Sequence, residues 1–286
     1  MLDRTEVMEN TAQSNAICII FQVSKRHFGG SAMQSNIVKA IAISLLFSLG
    51  GVSYAAVVIP IEAPGKVTFS SKDATITMLF EAEKPATATV MFIPGGDGTT
   101  PIKEGMTESK NPWTLGIFIP LTKAGYNVVV VSNPTAIDPR SGNPGDDRLD
   151  RIESVVKFYR DKLKVPVILL GHSNGTAAVH EFANRSEENR QSIVGIVISA
   201  GRQEYRLNAE VKFPILIVHH KLDACDTTSY SSATSRYESY KAMKLAVKFV
   251  AIEGGEGGGQ PCYAGYHMYY KAYQEVADAL LANLPR

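Results

Sequence analysis

One short turn constrains this sequence more than any other feature. Gly171-His172-Ser173-Asn174-Gly175 falls between a continuous apolar run and a helix-forming run. Val165–Leu170 has the unbroken hydrophobicity of a strand buried on both faces, and such strands belong to parallel sheets covered by helices. The segment from about Asn174 to Asn184 reads as a helix. A chain that reverses from strand to helix this sharply needs small residues where backbones approach, and a glycine lies on each side of Ser173. The serine is then left at the apex in a strained, exposed conformation. The helix start behind it turns partly positive backbone N–H groups toward the same point.

The rest of the chain alternates as such a sheet requires. Lys66–Phe69 and Ala74–Glu81 read as an opening antiparallel pair, the second alternating in polarity. Thr87–Ile93 is predicted as a strand that runs into the loop Pro94-Gly95-Gly96-Asp97-Gly98. Residues 113–124 look helical, Asn127–Val131 is a Val-rich strand, and a Pro/Gly/Asn/Asp-rich loop covers 133–147. Asp147–Leu163 carries Leu149, Ile152, Val155, Val156 and Tyr159 at the spacing of one helix face. Ile193–Ser199, Pro214–His219 and Leu245–Ile252 are further strands, and a final helix is predicted from about His267 to Leu284. The expected fold class is α/β, one domain with a mostly parallel central sheet covered by helices on both faces. With 45% hydrophobic and 20% charged residues, the chain can bury one substantial core.

Charge narrows the partners. Basic and acidic residues number 29 and 28, with no basic stripe, so neither nucleic acid nor an electrostatically held membrane surface is expected. The apolar run at residues 40–52 is shorter than the roughly 20 residues a bilayer span needs. Lys39 precedes it and Ser53-Tyr54-Ala55 follows, which is the layout of a secretory signal peptide cleaved after Ala55 or Ala56. Because that signal would start at Met33, residues 1–32 read as an upstream extension, 33–56 as the signal peptide and 57–286 as the mature domain. An exported product, periplasmic or secreted and without a membrane span, is expected.

On the strand, the G-x-S-x-G turn and the helix that follows it, residues 65–286 resemble the α/β-hydrolase family. The resemblance implies a nucleophile, acid, histidine order, with the acid after a late strand and the histidine after the last one. Ser173 is the implied nucleophile. Asp223 lies in the exit loop of the strand Pro214–His219 and is the implied acid, with Asp226 and Glu204 as alternatives. Of the histidines in the mature segment (His172, His180, His219, His220 and His267), His267 alone lies beyond the last strand. It is the implied base. Oxyanion donors are expected from the backbone of Asn174 and from Gly96, or Asp97 if the loop after Ile93 is one residue longer. That loop begins Pro94-Gly95 where the family often has His-Gly.

His172 reads as a packing residue of the turn. The pair His219-His220 suggests a metal in isolation, but no ligand cluster with metal spacing accompanies it, so no metal or cofactor is expected. Once Cys18 is removed with the leader, Cys225 and Cys262 form an even pair, a disulfide candidate in an oxidising compartment. With the implied triad formed, that bridge would staple the acid loop to the histidine loop. The segment His219-His220-x-x-Asp223-x-Cys225, with a later Cys before the His, also looks like a group of secreted hydrolases within the family.

The expected activity is hydrolysis of a small ester-like substrate through an acyl-enzyme. A peptidase or other acyl-transfer enzyme on the same triad, and a catalytically silent binding protein of the same fold, are the alternatives. About a dozen residues separate Ser199 from Pro214, too few for a large cap. Trp113 and the tyrosines Tyr263, Tyr266, Tyr269 and Tyr270 are candidates for lining a pocket or packing the core.

Overall fold

The computed structural model describes residues 55–59, 75–100, 113–133 and 145–285. The leader up to residue 54, the expected strand Lys66–Phe69, the loop 101–112 and most of the loop 133–147 lie outside the described residues.

Eight strands form one sheet: β1 (Ala55–Ile59), β2 (Thr75–Phe80), β3 (Ala88–Ile93), β4 (Tyr126–Ser132), β5 (Val167–His172), β6 (Gly195–Ser199), β7 (Ile215–His220) and β8 (Val247–Ile252). Their order is β1-β2-β4-β3-β5-β6-β7-β8. The β1–β2 and β2–β4 pairs are antiparallel, and every later pair is parallel. The edge strand beside β2 is Ala55–Ile59, which starts where signal cleavage is expected. Its Ala-Ala-Val-Val-Ile run has the β-branched character of a strand, and a signal-peptide reading of the neighbouring residues claims its first two positions. Cleavage there still leaves Val57–Ile59 to pair.

Helices cover both faces. A π-helical turn, Thr114–Phe118, leads into α1 (Ile119–Lys123). Then come α2 (Gly145–Leu163), α3 (Gly175–Arg185), α4 (Glu187–Ser192), α5 (Tyr230–Ala242) and α6 (Tyr273–Asn283). Strand alternation divides the core in two. Met91, Val129, Leu169, Ile198 and Ile217 face α2, α3 and α5, where Ile152, Phe182 and Tyr240 meet them. Val90, Val130, Leu170, Val197 and Val218 face the other layer, built on Trp113, Ile117, Leu121, Val276 and Leu280. β3, β4 and β5 are buried along their whole length, as a sheet sandwiched between helices demands.

Register brings the working ends together. Ile93 pairs with Gly171, His172 with Ser199, Ser199 with Val218 and His220 with Ile252, so the exit loops of β3, β5, β6 and β7 emerge along one edge. From β3 the chain crosses to β4 on one side, and from β5 to β6 on the other. The crevice between those two exits is where open α/β sheets bind their ligands.

One boundary differs from the sequence expectation, and two helices, α4 and α5, have no counterpart in it. Residues 267–272 form a series of turns, and the last helix begins at Tyr273. Tyr269 and Lys271, at φ 55° and 60°, break any helix that would include His267. The helix α5 carries Ser and Thr through its first half and has no clean apolar stripe, so periodicity does not reveal it. Ser229 caps it by accepting from the Ser232 N–H.

Phe182 is fully buried on α3 beneath the sheet. Phe182→Ala is expected to destabilise the protein by about 3–5 kcal/mol, measured as the shift in urea unfolding free energy.

Candidate active site

The turn after β5 is built by close approach. An ideal Cβ on Gly175 would lie 2.1 Å from the Ile93 carbonyl oxygen and 2.7 Å from that of Pro94. One on Gly171 would lie 2.8 Å from the Gly175 carbonyl oxygen and 2.8 Å from Val179 Cγ2. Both flanking positions therefore exclude any side chain. Between them Ser173 adopts φ 51°, a left-handed conformation that L-residues rarely accept. Tight bonds on both sides hold it there. The Ser173 N–H donates to the Ser199 carbonyl at 2.9 Å, and the Thr176 N–H and hydroxyl donate to the Ser173 carbonyl at 3.0 and 2.6 Å.

The loop after β3 lies against this serine. A Cβ on Gly95 would come within 2.9 Å of Ser173 Cβ, so only glycine lets the backbone pass. Asn174 Nδ2 donates to the Gly96 carbonyl at 2.8 Å and ties the loop to the residue after the serine. The Gly98 N–H donates to the Gly95 carbonyl at 2.9 Å, closing the loop as a turn. Asp97 turns its carboxylate to its own loop, where Oδ1 accepts from the Thr99 N–H. Arg148, buried on α2, donates to the Pro94 carbonyl at 3.3 Å from beneath. Burial pulls its guanidinium down to about 10.

Asp223 and His267 come together beside this turn. His267 Nδ1 lies 3.0 Å from Asp223 Oδ2. The same oxygen accepts from the Thr228 hydroxyl at 3.0 Å and lies 3.1 Å from His219 Nε2. Oδ1 accepts from the Cys225 N–H at 2.9 Å. Burial alone would raise the Asp223 carboxyl, but His219 and His267 against it outweigh that and hold it well below the usual carboxylate range. His267 is almost fully buried, and its Nε2 finds no hydrogen-bond partner among the described residues. Its ring centre lies 5.1 Å from that of His172, the residue before Ser173.

The other candidates occupy different positions. Glu204 is paired with Arg202 at 2.6 Å, and that hydrogen bond lowers its carboxyl. His172 packs between Trp113 and Tyr269 and bonds Ser199 Oγ at 3.1 Å through Nδ1. Burial pushes its imidazole well below the usual histidine range. His220 uses both ring nitrogens on loops: Nδ1 accepts from the Leu222 N–H, so Nε2 carries the proton given to the Gly254 carbonyl at 2.7 Å. Its ring stacks on Tyr266 at 4.4 Å. The sequence did not single out His219 or Thr228 as neighbours of Asp223; His219 lies four residues before it across the β7 exit, a spacing visible only once that strand end is placed.

Cys225 and Cys262 form a disulfide that closes a separation of 37 residues and joins the acid loop to the loop before His267. Among the described residues, these two and Asp226 are the side chains that meet at metal-ligand spacing, and the disulfide removes both thiolates from metal binding. No described helix is long and apolar enough to cross a membrane.

Three measurements follow from this geometry. Gly175→Ala places a methyl inside backbone van der Waals distance and is expected to destabilise the protein by about 3 kcal/mol. Gly96→Ala, with φ 60° but open space around the added carbon, is expected to cost about 1 kcal/mol in urea unfolding. The double variant Cys225→Ala/Cys262→Ala is expected to lose about 2–4 kcal/mol in the same assay, with the wild type kept oxidised as reference.

No family model and no curated protein matches the chain. Solved structures do, at low identity. A lid-less α/β serine hydrolase from Xanthomonas campestris superposes with TM-score 0.55 at 14% identity, covering 82% of this chain and 95% of that one. Dienelactone hydrolase from Anabaena variabilis gives TM-score 0.54 at 15% identity, covering 81% and 97%. Acylaminoacyl peptidase from Pyrococcus horikoshii gives 0.55 at 13%, but only 42% of that longer chain is covered. Together with the strand order and the turn at Ser173, these matches establish that the chain has the α/β-hydrolase fold.

Proposed function

We propose that this chain is a serine hydrolase that cleaves small, accessible esters through an acyl-enzyme, with Ser173 as nucleophile, His267 as base and Asp223 as acid. One observation carries the reading: a serine at φ 51° and a 3.0 Å His267–Asp223 contact share one end of the sheet. Asp223 accepts the Nδ1–H of His267, which leaves Nε2 as the basic nitrogen. Nε2 takes the Ser173 hydroxyl proton as Oγ bonds to the ester carbonyl carbon. The carbonyl oxygen becomes an oxyanion, stabilised by the backbone N–H groups of Asn174 and Gly96. On collapse the ester C–O bond breaks, and the leaving alkoxide takes the proton from Nε2. Water then attacks the acyl-Ser173 by the same proton path and releases the acid.

The surroundings suit this charge cycle. The depressed Asp223 carboxyl stays anionic and faces the imidazolium as it forms. His172, held neutral by its burial, adds no second positive charge beside it. The β6–β7 connection contains no helix and leaves no room for a large cap, which favours exposed small esters. The same proposal takes residues 33–56 as an export signal and 57–286 as the mature hydrolase. The Cys225–Cys262 disulfide supports an oxidising compartment.

Steady-state hydrolysis of short esters tests the reading. Ser173→Ala and His267→Ala are expected to abolish turnover. Asp223→Asn is expected to lower kcat by about 10⁴-fold, because the imidazole loses its tautomer and its counter-charge. Unchanged turnover in Ser173→Ala would contradict the proposal, and faster cleavage of peptide anilides than of esters would replace ester by peptide as the substrate.

A further inference from the structure

A cleft of about 520 Å³, within the range of small-molecule sites, runs along the loop that carries His267, with Gly265 and Met268, but not His267 itself, in its wall. Its walls are Trp113, Tyr263, Met268, Tyr270 and Tyr273, and residues 257–259 supply a stretch of glycine backbone. No charged side chain lines it among the described residues. Tyr263 is 70% exposed and Tyr270 44%, two of the four large hydrophobic side chains that the described surface leaves out in water. Gly258 has φ 121°, and a Cβ there would meet nothing within 4 Å, so this wall is bare peptide facing open space. A flat group can lie against it without steric hindrance.

The position of the cleft decides which part of a substrate enters it. Gly265 and Met268 flank His267 in the chain and both line the cleft. Trp113 packs 4.7 Å from His172, whose ring lies 5.1 Å from His267. In the reaction above, His267 hands its proton to the departing oxygen, so the alcohol portion of the ester lies on the His267 side. Resting on that reading, we propose that the cleft is the leaving-group subsite and that it selects esters of aromatic alcohols. The ring of the alcohol packs against Tyr263 and Tyr270, in the offset or edge-on geometry that aromatic pairs favour, with glycine backbone on its other side.

The test compares benzyl acetate with ethyl acetate, which share one acyl group, by acid release in a pH-stat. Each rate is normalised to alkaline hydrolysis of the same ester. The normalised kcat/KM is expected to favour benzyl acetate at least tenfold, and Tyr263→Ala and Tyr270→Ala are each expected to reduce that ratio several-fold. A ratio near one, or a ratio that neither variant alters, overturns the proposal. Ethyl acetate turnover that Ser173→Ala abolishes would leave the hydrolase reading standing in that event. If neither ester is turned over, saturation-transfer NMR with benzyl alcohol on the wild-type protein still reads the cleft. Binding that weakens in Tyr263→Ala supports the subsite, and no binding overturns it.

Discussion

At Gly175 the first turn of α3 passes so close to the end of β3 that no side chain fits between them, and this contact fixes the geometry around Ser173. It presses the turn after β5 onto the loop after β3. Gly95 is thereby brought against Ser173, and Asn174 reaches the Gly96 carbonyl. The strained serine is stable only because β5 and α3 are each anchored in a buried core on either side of it. Loosening that approach would move Ser173 and the loop after β3 together, which is how a rigid scaffold would convert packing into the proposed chemistry.

The other half of the site depends on a carboxylate surrounded by donors. Asp223 sits among His267, Thr228, the Cys225 N–H and His219, and burial makes each of these contacts count for more than it would in water. Its loop is held from two further directions. The disulfide joins Cys225 to the segment before His267, and His220 bonds the start of the glycine-rich loop at Gly254. Asp223 and His267 therefore arrive from the exits of different strands yet share one covalently closed unit. In the chain-entropy account such a closure contributes roughly 4 kcal/mol.

The sequence made the central sheet legible because its strands are buried on both faces and read as apolar runs. β3 to β8 fall within two residues of their expected starts and ends. The turn at Ser173 was legible for a related reason, since flanking glycines mark backbone contact. The edge of the sheet was harder to read. Ala55–Ile59 sits next to an apolar leader-like run, and composition does not separate a strand from the end of a signal peptide. The helix α5 was missed because Ser, Thr and Arg fill positions where an apolar stripe would betray it; buried Arg236 is among them. His219 was invisible as a neighbour of Asp223 because pairing across a loop depends on where the strand stops. The roles of the tyrosines also divided in a way that spacing does not encode. Tyr269 is buried and bonds the Val218 carbonyl, Tyr266 stacks on His220, and Tyr263 and Tyr270 stand at the cleft.

The account stands or falls on whether Ser173 is an activated nucleophile. Residues 57–286, oxidised and folded, would be incubated with a fluorophosphonate, and the site of addition would be located by peptide mass mapping alongside Ser173→Ala. The account predicts a single stoichiometric adduct on Ser173 that the variant lacks. A folded wild-type protein that takes up no label, or carries it on a different residue, would contradict it.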